Sequence, residues 1–161
     1  MNIIDCTIQM RKEAQQNYAN LSLAVVDTEM KRLFSLLALA EDEHIDKLMA
    51  IQTETMTSPA TDDRLSSSAC SYKSSLQPEN LGNLLRHDSD AYLHVLKDEE
   101  KTIEFFDRLA GSAENETMRT VCLAVAARER EHLQRIENIY AFIEEPRTYL
   151  EWGEFSNLRS L

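Results

Sequence analysis
From Met30 to Ile51, one set of positions recurs in alternating steps of four and three: Met30, Phe34, Leu37, Glu41, His44, Leu48, Ile51. That spacing holds one face of an α-helix against a core. The same steps give Met118, Cys122, Val125, Glu129, His132, Ile136 and Ile139 near the C-terminus. Two further stripes also move in steps of three and four, though not in strict alternation: Ile4, Ile8, Arg11, Ala14, Tyr18, Leu21 and Tyr92, Leu96, Glu99, Ile103, Phe106, Leu109. Each seam is apolar at its ends and polar in the middle.

Breakers and caps divide these seams into four helices. The first runs from about Ile3 to Val26, and Asp27-Thr28 caps a second that ends near Gln52. Residues 53–80 form a Ser/Thr-rich link containing Pro59 and Pro78. The third helix starts near Asp88 or Ser89 and stops at Gly111, a C-terminal cap. Asn115 caps the fourth, which ends before Pro146 because proline disfavours helix in the residue ahead of it. Leu81–Arg86 reads as a short extra turn. Residues 146–161 read as a tail whose Trp152 and Phe155 pack onto the helices or onto a second subunit.

The two halves are a repeat. An offset of 88 without gaps matches Leu21 with Leu109, Met30 with Met118, Ala38 with Ala126, Glu41 with Glu129, Glu43 with Glu131, His44 with His132 and Ile51 with Ile139. Each half is then a helical hairpin, and the polar seam positions of both face one centre. Joining two equivalent hairpins requires a connection along a helix length, ~36 Å for 24 residues. The link is ample for this at ~3.3 Å per extended residue. The expected fold is all-α: one domain over 1–161, a four-helix bundle with a long crossover at 53–80.

Composition narrows the function. Hydrophobic residues are 43% of the chain, enough for a core, and only 3 Gly and 3 Pro interrupt the helix formers. A net charge of -11 removes the basic footprint that nucleic-acid binding needs. No apolar run is long enough to cross a membrane, and the N-terminus has no signal-peptide pattern, so a cytoplasmic location is expected. Cys6, Cys70 and Cys122 are odd in number and widely spaced, which argues against a disulfide framework or a Cys-rich zinc site.

Carboxylates and imidazoles in an apolar seam require compensation. Glu41 with His44 and Glu129 with His132 are i, i+3 pairs, so each pair reaches one point from one helix face. Oxygen and nitrogen donors of this kind suit iron, manganese or zinc. Glu99 adds a third carboxylate from the third helix. Carboxylate-bridged dimetal bundles take a fourth from the remaining helix. The repeat puts Arg11 there, and Glu13, the nearest acid, points away from the seam. Arginine stays protonated and cannot ligate. Turned inward, it would pair with Glu41 or Glu99 and stand in for part of a metal's charge. Tilted outward, it would leave the centre to water. His87 and His94 lie off the seams, as does Glu100, and the acidic runs 41–43 and 98–100 are otherwise solvated faces. Tyr18 reads as core or as a neighbour of the site.

With its A-E-D-E-H stretch at 40–44, its R-E-R-E-H stretch at 128–132, and an aromatic (Tyr18 or Phe106) 23 residues before each Glu, the chain resembles the rubrerythrin-type ferritin-like proteins. The stretch L-E-W-G-E-F-S-N-L at 150–158 is similar to the ending of some short members. The resemblance implies a di-iron centre bridged by Glu41 and Glu129, with His44 and His132 each on one iron and Glu99 a terminal ligand. It implies peroxide reduction or ferrous-iron oxidation, and a homodimer. No rubredoxin-like Cys-rich segment is present, so the resemblance implies a separate electron donor. Three functions follow: a non-haem iron oxidoreductase acting on peroxide or dioxygen, a protein that stores or senses iron at a one-metal site, and a metal-free scaffold.

Overall fold
The computed structural model describes residues 2–55, 63–73 and 91–159, with backbone alone for 55, 91 and 144–159. It is all-α, and no strand occurs among the described residues. Helix α1 spans Ile3–Ala24, α2 Thr28–Thr55, α3 Asp63–Ser71, α4 Ala91–Ser112 and α5 Glu116–Arg159. Helix α1 packs on α2, α4 on α5, α2 against α5, and α3 on α1.

The caps act locally, as their sequences dictate. Asn2 and Asp5 form a capping box at the start of α1, with Asp5 N donating to Asn2 Oδ1 at 2.8 Å. Val25 turns extended and ends the helix. Asp27 Oδ1 then accepts from the backbone N–H of Glu29 at 2.8 Å, opening α2. Asn115 Oδ1 does the same for Met118 at 2.7 Å, opening α5. Asp27 and Asn115 are equivalent in the repeat. Helices α1 and α4 begin and end 88 residues apart, and α5 begins 88 residues after α2. The repeat seen in the sequence is therefore a repeat of backbone elements.

Seam residues form two apolar layers. One holds Ile4, Ile8, Leu48, Phe106, Cys122 and Val125, joined by Leu65 and Ala69 of α3. The other holds Tyr18, Phe34, Leu37, Ile136, Ile139 and Tyr140. The polar mid-seam residues belong to neither. At the surface, Lys47 pairs with Glu131 and Arg135 with Glu43, both at 3.2 Å. These two ion pairs are each other's repeat equivalents and tie α2 to α5.

Several expectations are corrected. The link 53–80 contains the helix α3, whose serine-rich sequence has only Leu65 and Ala69 as buried anchors. Cys6 and Cys70 form a disulfide with a Cα–Cα distance of 5.1 Å, although their number and spacing argued against a disulfide framework. The packing of α3 on α1 brings together two cysteines 64 residues apart, a contact no local pattern announces. Gly111 lies inside α4, one residue before its end, and no described glycine has positive φ. Helix α5 continues through Pro146 to Arg159 rather than ending before it. Proline removes one helical hydrogen bond, and the chain beyond it (R-T-Y-L-E) carries the helix on. Asp98, read as solvated, is buried. Leu81–Arg86, His87 and the start of the third helix at Asp88 or Ser89 lie outside the described residues, as do the side chains of Trp152 and Phe155.

Candidate metal centre
Five mid-seam residues meet at one depth between the apolar layers: Glu41 and His44 from α2, Glu99 from α4, Glu129 and His132 from α5. All are buried. Arg11 of α1 is buried among them, 4% exposed, so it turns inward. Its Nη1 donates to Glu99 Oε1 at 3.1 Å and its Nη2 to Glu99 Oε2 at 2.8 Å, a two-pronged pair. Nη2 also donates to Glu129, and Nη1 reaches Glu41 Oε1 at 3.4 Å. One guanidinium thus binds all three carboxylates of the cluster.

The histidines cross over. His44 Nε2 lies 2.9 Å from Glu129 Oε1, and His132 Nε2 lies 2.9 Å from Glu41 Oε1. Under the 88-residue repeat one contact maps onto the other. The two imidazole rings stack, centroids 4.4 Å apart and nearly parallel. Arg11 and Glu99, also equivalent positions, pair with each other. The cluster therefore has the approximate two-fold relation of the repeat, broken where one half carries a cation and the other an anion.

Burial and charge compete at each group. Burial opposes the Arg11 charge, but Glu129, Glu99 and Glu41 outweigh it and hold the guanidinium protonated well above its usual range. Burial would raise the carboxyl of Glu129, yet Arg11 and then His44 hold it well below the usual carboxylate range. Glu41 is lowered too, against burial, by His132 and Arg11. The histidines part company despite matching distances. Burial lowers His44, and its partner Glu129 does not overcome this. His132 is raised, because Glu41 outweighs burial. Glu129 gives its charge to the closest contact of Arg11, whereas Glu41 is farther from the guanidinium and more available to His132.

Ligand atoms of Glu41, Glu99 and His132 lie within 4.8 Å of one another, a spacing that a metal ion could gather. Glu41 Oε2, His44 Nδ1 and His132 Nδ1 are buried without a protein partner. These are lone-pair atoms of the kind a transition metal satisfies. All five metal-ligating candidates of the sequence are brought together, and Glu13, Glu100 and His94 are exposed.

No family model, characterised protein or solved structure matches this chain. Its own side chains carry the functional reading.

Two tyrosines border the cluster that the seams did not single out. Tyr140 Oη is buried without a protein partner, and burial pushes the phenol above its ordinary range. It continues the α5 seam one turn beyond Ile136, which was the available signal. Tyr72 follows α3, and its hydroxyl lies 3.0 Å from Thr102 Oγ1, one turn along α4 from Glu99. No sequence signal placed it there. Tyr18 is buried in the adjoining apolar layer, which raises its phenol further from ionisation.

Proposed function
We propose that this chain is a metal-binding protein on a ferritin-like four-helix bundle, and that it takes one divalent transition-metal ion rather than a pair. The 88-residue repeat of helix positions and the packing of α1 on α2, α4 on α5 and α2 against α5 support the bundle. The observation that carries the metal reading is the charge balance around Arg11. Three carboxylates and one guanidinium leave two negative charges in a buried site. One divalent ion with both histidines neutral closes that balance. Two divalent ions would leave two excess positive charges away from water, which is costly. The di-iron reading implied by the resemblance therefore fits this chain poorly, and a one-ion reading fits well.

Glu41, Glu99, Glu129 and His132 would hold the ion, on the half of the cluster where the carboxylate of α4 stands. A bound iron, manganese or zinc would supply Lewis-acid chemistry and, for the first two, redox chemistry. The protein's part is clearer. Glu41 and Glu129 project from α2 and α5 at fixed depth, and the apolar layers exclude water on both sides. Arg11 holds a permanent positive charge beside the site and competes for the same oxygens. This arrangement favours binding and exchange over peroxide turnover, which would draw its electrons from a separate donor.

A metal-free polar core is the second reading, favoured by the hydrogen bonds of Arg11 to all three carboxylates. One experiment separates the two. Metal-free protein would be titrated with cobalt(II), following its visible bands and the cobalt content per chain. One cobalt per chain supports the proposal. Two would restore the dimetal reading, and none would leave the polar core.

A further inference from the structure
We infer that the Cys6–Cys70 disulfide is a redox latch on a strap, α3 with Tyr72, that closes the Glu99 side of the polar cluster. Helix α3 packs on α1, and side chains at its start and just after its end touch α4. At its start, Arg64 donates to the backbone carbonyl of Ser112 at 3.2 Å. In its middle, Leu65 and Ala69 are buried in the layer that holds Ile4 and Ile8. At its end, Tyr72 stacks on Phe105, ring centroids 4.2 Å apart, and meets Thr102. The strap thus runs along α4 and stops one turn from Glu99. Among the cluster side chains Glu99 is the most accessible at 10%, and Glu41 and Glu129 are at 1% and 0%. Entry is therefore nearest where Tyr72 sits.

Among the described residues, the strap is held by the disulfide, by buried Leu65 and Ala69, by Tyr72, and by Arg64, which also pairs with Glu114 at 3.6 Å. Helix α3 is 9 residues long, and a helix of that length is marginal on its own. Its serines are weak helix formers. The long helices carry full seams, whereas α3 buries only Leu65 and Ala69 of its own side chains. Cys70 is exposed and Cys6 half-buried, so a thiol can reach the bond.

The opening chemistry is thiol–disulfide exchange with a dithiol. A reductant thiolate attacks Cys70 Sγ, forming a mixed disulfide and releasing Cys6 as a thiolate. The reductant's second thiol then displaces Cys70 and closes its own disulfide. Two electrons and two protons pass to the protein, and the dithiol is oxidised. The strap is then free to lift.

The latch rests on the cluster being a binding site only for its purpose, so the test uses a probe that needs no metal. Carbethoxylation of His44 and His132 by diethyl pyrocarbonate would be followed by mass spectrometry, with exposed His94 as internal reference. The oxidised protein, the dithiol-reduced protein and the Cys6→Ser/Cys70→Ser double variant would be compared, each checked for helix content by circular dichroism. We expect His44 and His132 to react about tenfold faster in the reduced protein and in the variant, at unchanged helix content. Equal rates in all three would overturn the latch. So would collapse of the helices on reduction, which would make the bond a staple of the whole fold. Cobalt(II) uptake should quicken in parallel. Faster carbethoxylation with no cobalt binding in any form would sustain the latch and defeat the metal reading alone.

Discussion

Arg11 and Glu99 are the same position of the two half-repeats, and they bind each other through two hydrogen bonds of 3.1 and 2.8 Å. The guanidinium then reaches past its partner to Glu129 and Glu41. A cation fixed to the backbone sits where the resemblance places a metal ligand, and it sets the charge that any ion must complete.

Arg11→Glu replaces that cation with a fourth carboxylate. Four buried negative charges call for two divalent ions. The metal-free variant should lose at least about 3–5 kcal/mol of stability, the cost of breaking a buried pair. Under the one-ion proposal, its metal content should rise from one ion per chain to two. Urea denaturation with elemental analysis checks both; a variant that stays stable and metal-free would contradict the charge argument.

Glu129→Gln removes a charge that Arg11 and His44 both use. The expected loss is about 3 kcal/mol, because a buried guanidinium and a buried imidazole lose their partner. Glu131→Gln, two residues along, affects a half-exposed carboxylate facing Lys47 and Arg128. It should change stability by less than about 1 kcal/mol. Chemical denaturation of the two variants side by side gives the contrast, and equal losses would mean that burial is not what makes Glu129 matter.

The cluster also sets a pH dependence for the metal-free protein. Glu129 and Glu41 are held below their unfolded values, so their contribution is complete above about pH 4.3 and is lost as pH falls through the folded values. His132 is raised, so its contribution is complete below about pH 6.5 and fades as pH rises through its folded value. His44 is lowered and acts in the opposite sense, losing its contribution as pH falls from about 6.5. Stability should therefore be greatest near about pH 6.5, easing as pH rises and dropping in acid. NMR titration of the imidazole protons should find the two histidines on opposite sides of the ordinary value. Coincident titrations would show that Glu41 and Glu129 serve their partners equally.

Asp27→Ala and Asn115→Ala each delete a cap at equivalent points of the repeat. Each should cost about 1 kcal/mol. Thermal unfolding of the two variants should show similar shifts, whereas a much larger effect of one would mean that its hairpin carries more of the fold.

The seams were legible because they are local. Steps of three and four fix which side of a helix is buried, so Glu41, His44, Glu99, Glu129, His132 and Arg11 were placed at one depth before any contact was known. Equivalent spacing in both halves did the rest. Direction was less legible: the sequence left Arg11 free to turn in or out, and only the three carboxylates around it decide the matter. Contacts between distant segments were not legible. Nothing in S-S-S-A-C-S announces a helix, and nothing near Cys6 points to a partner 64 residues on. Pro146 misled because proline weakens a helix locally while the residues beyond it still favour one.

The pairing of Arg11 with Glu99 bears on how such a centre could arise. Two identical hairpins assembling about an exact two-fold axis would set like against like at this position, arginine facing arginine or glutamate facing glutamate. Opposite charges can meet there only when the two halves are free to differ, as they are once joined in one chain. Joining the two halves in one chain is thus more than a connection. It is what permits a lopsided centre inside a nearly symmetric frame. Expressed separately, each hairpin should pair poorly with itself and well with the other.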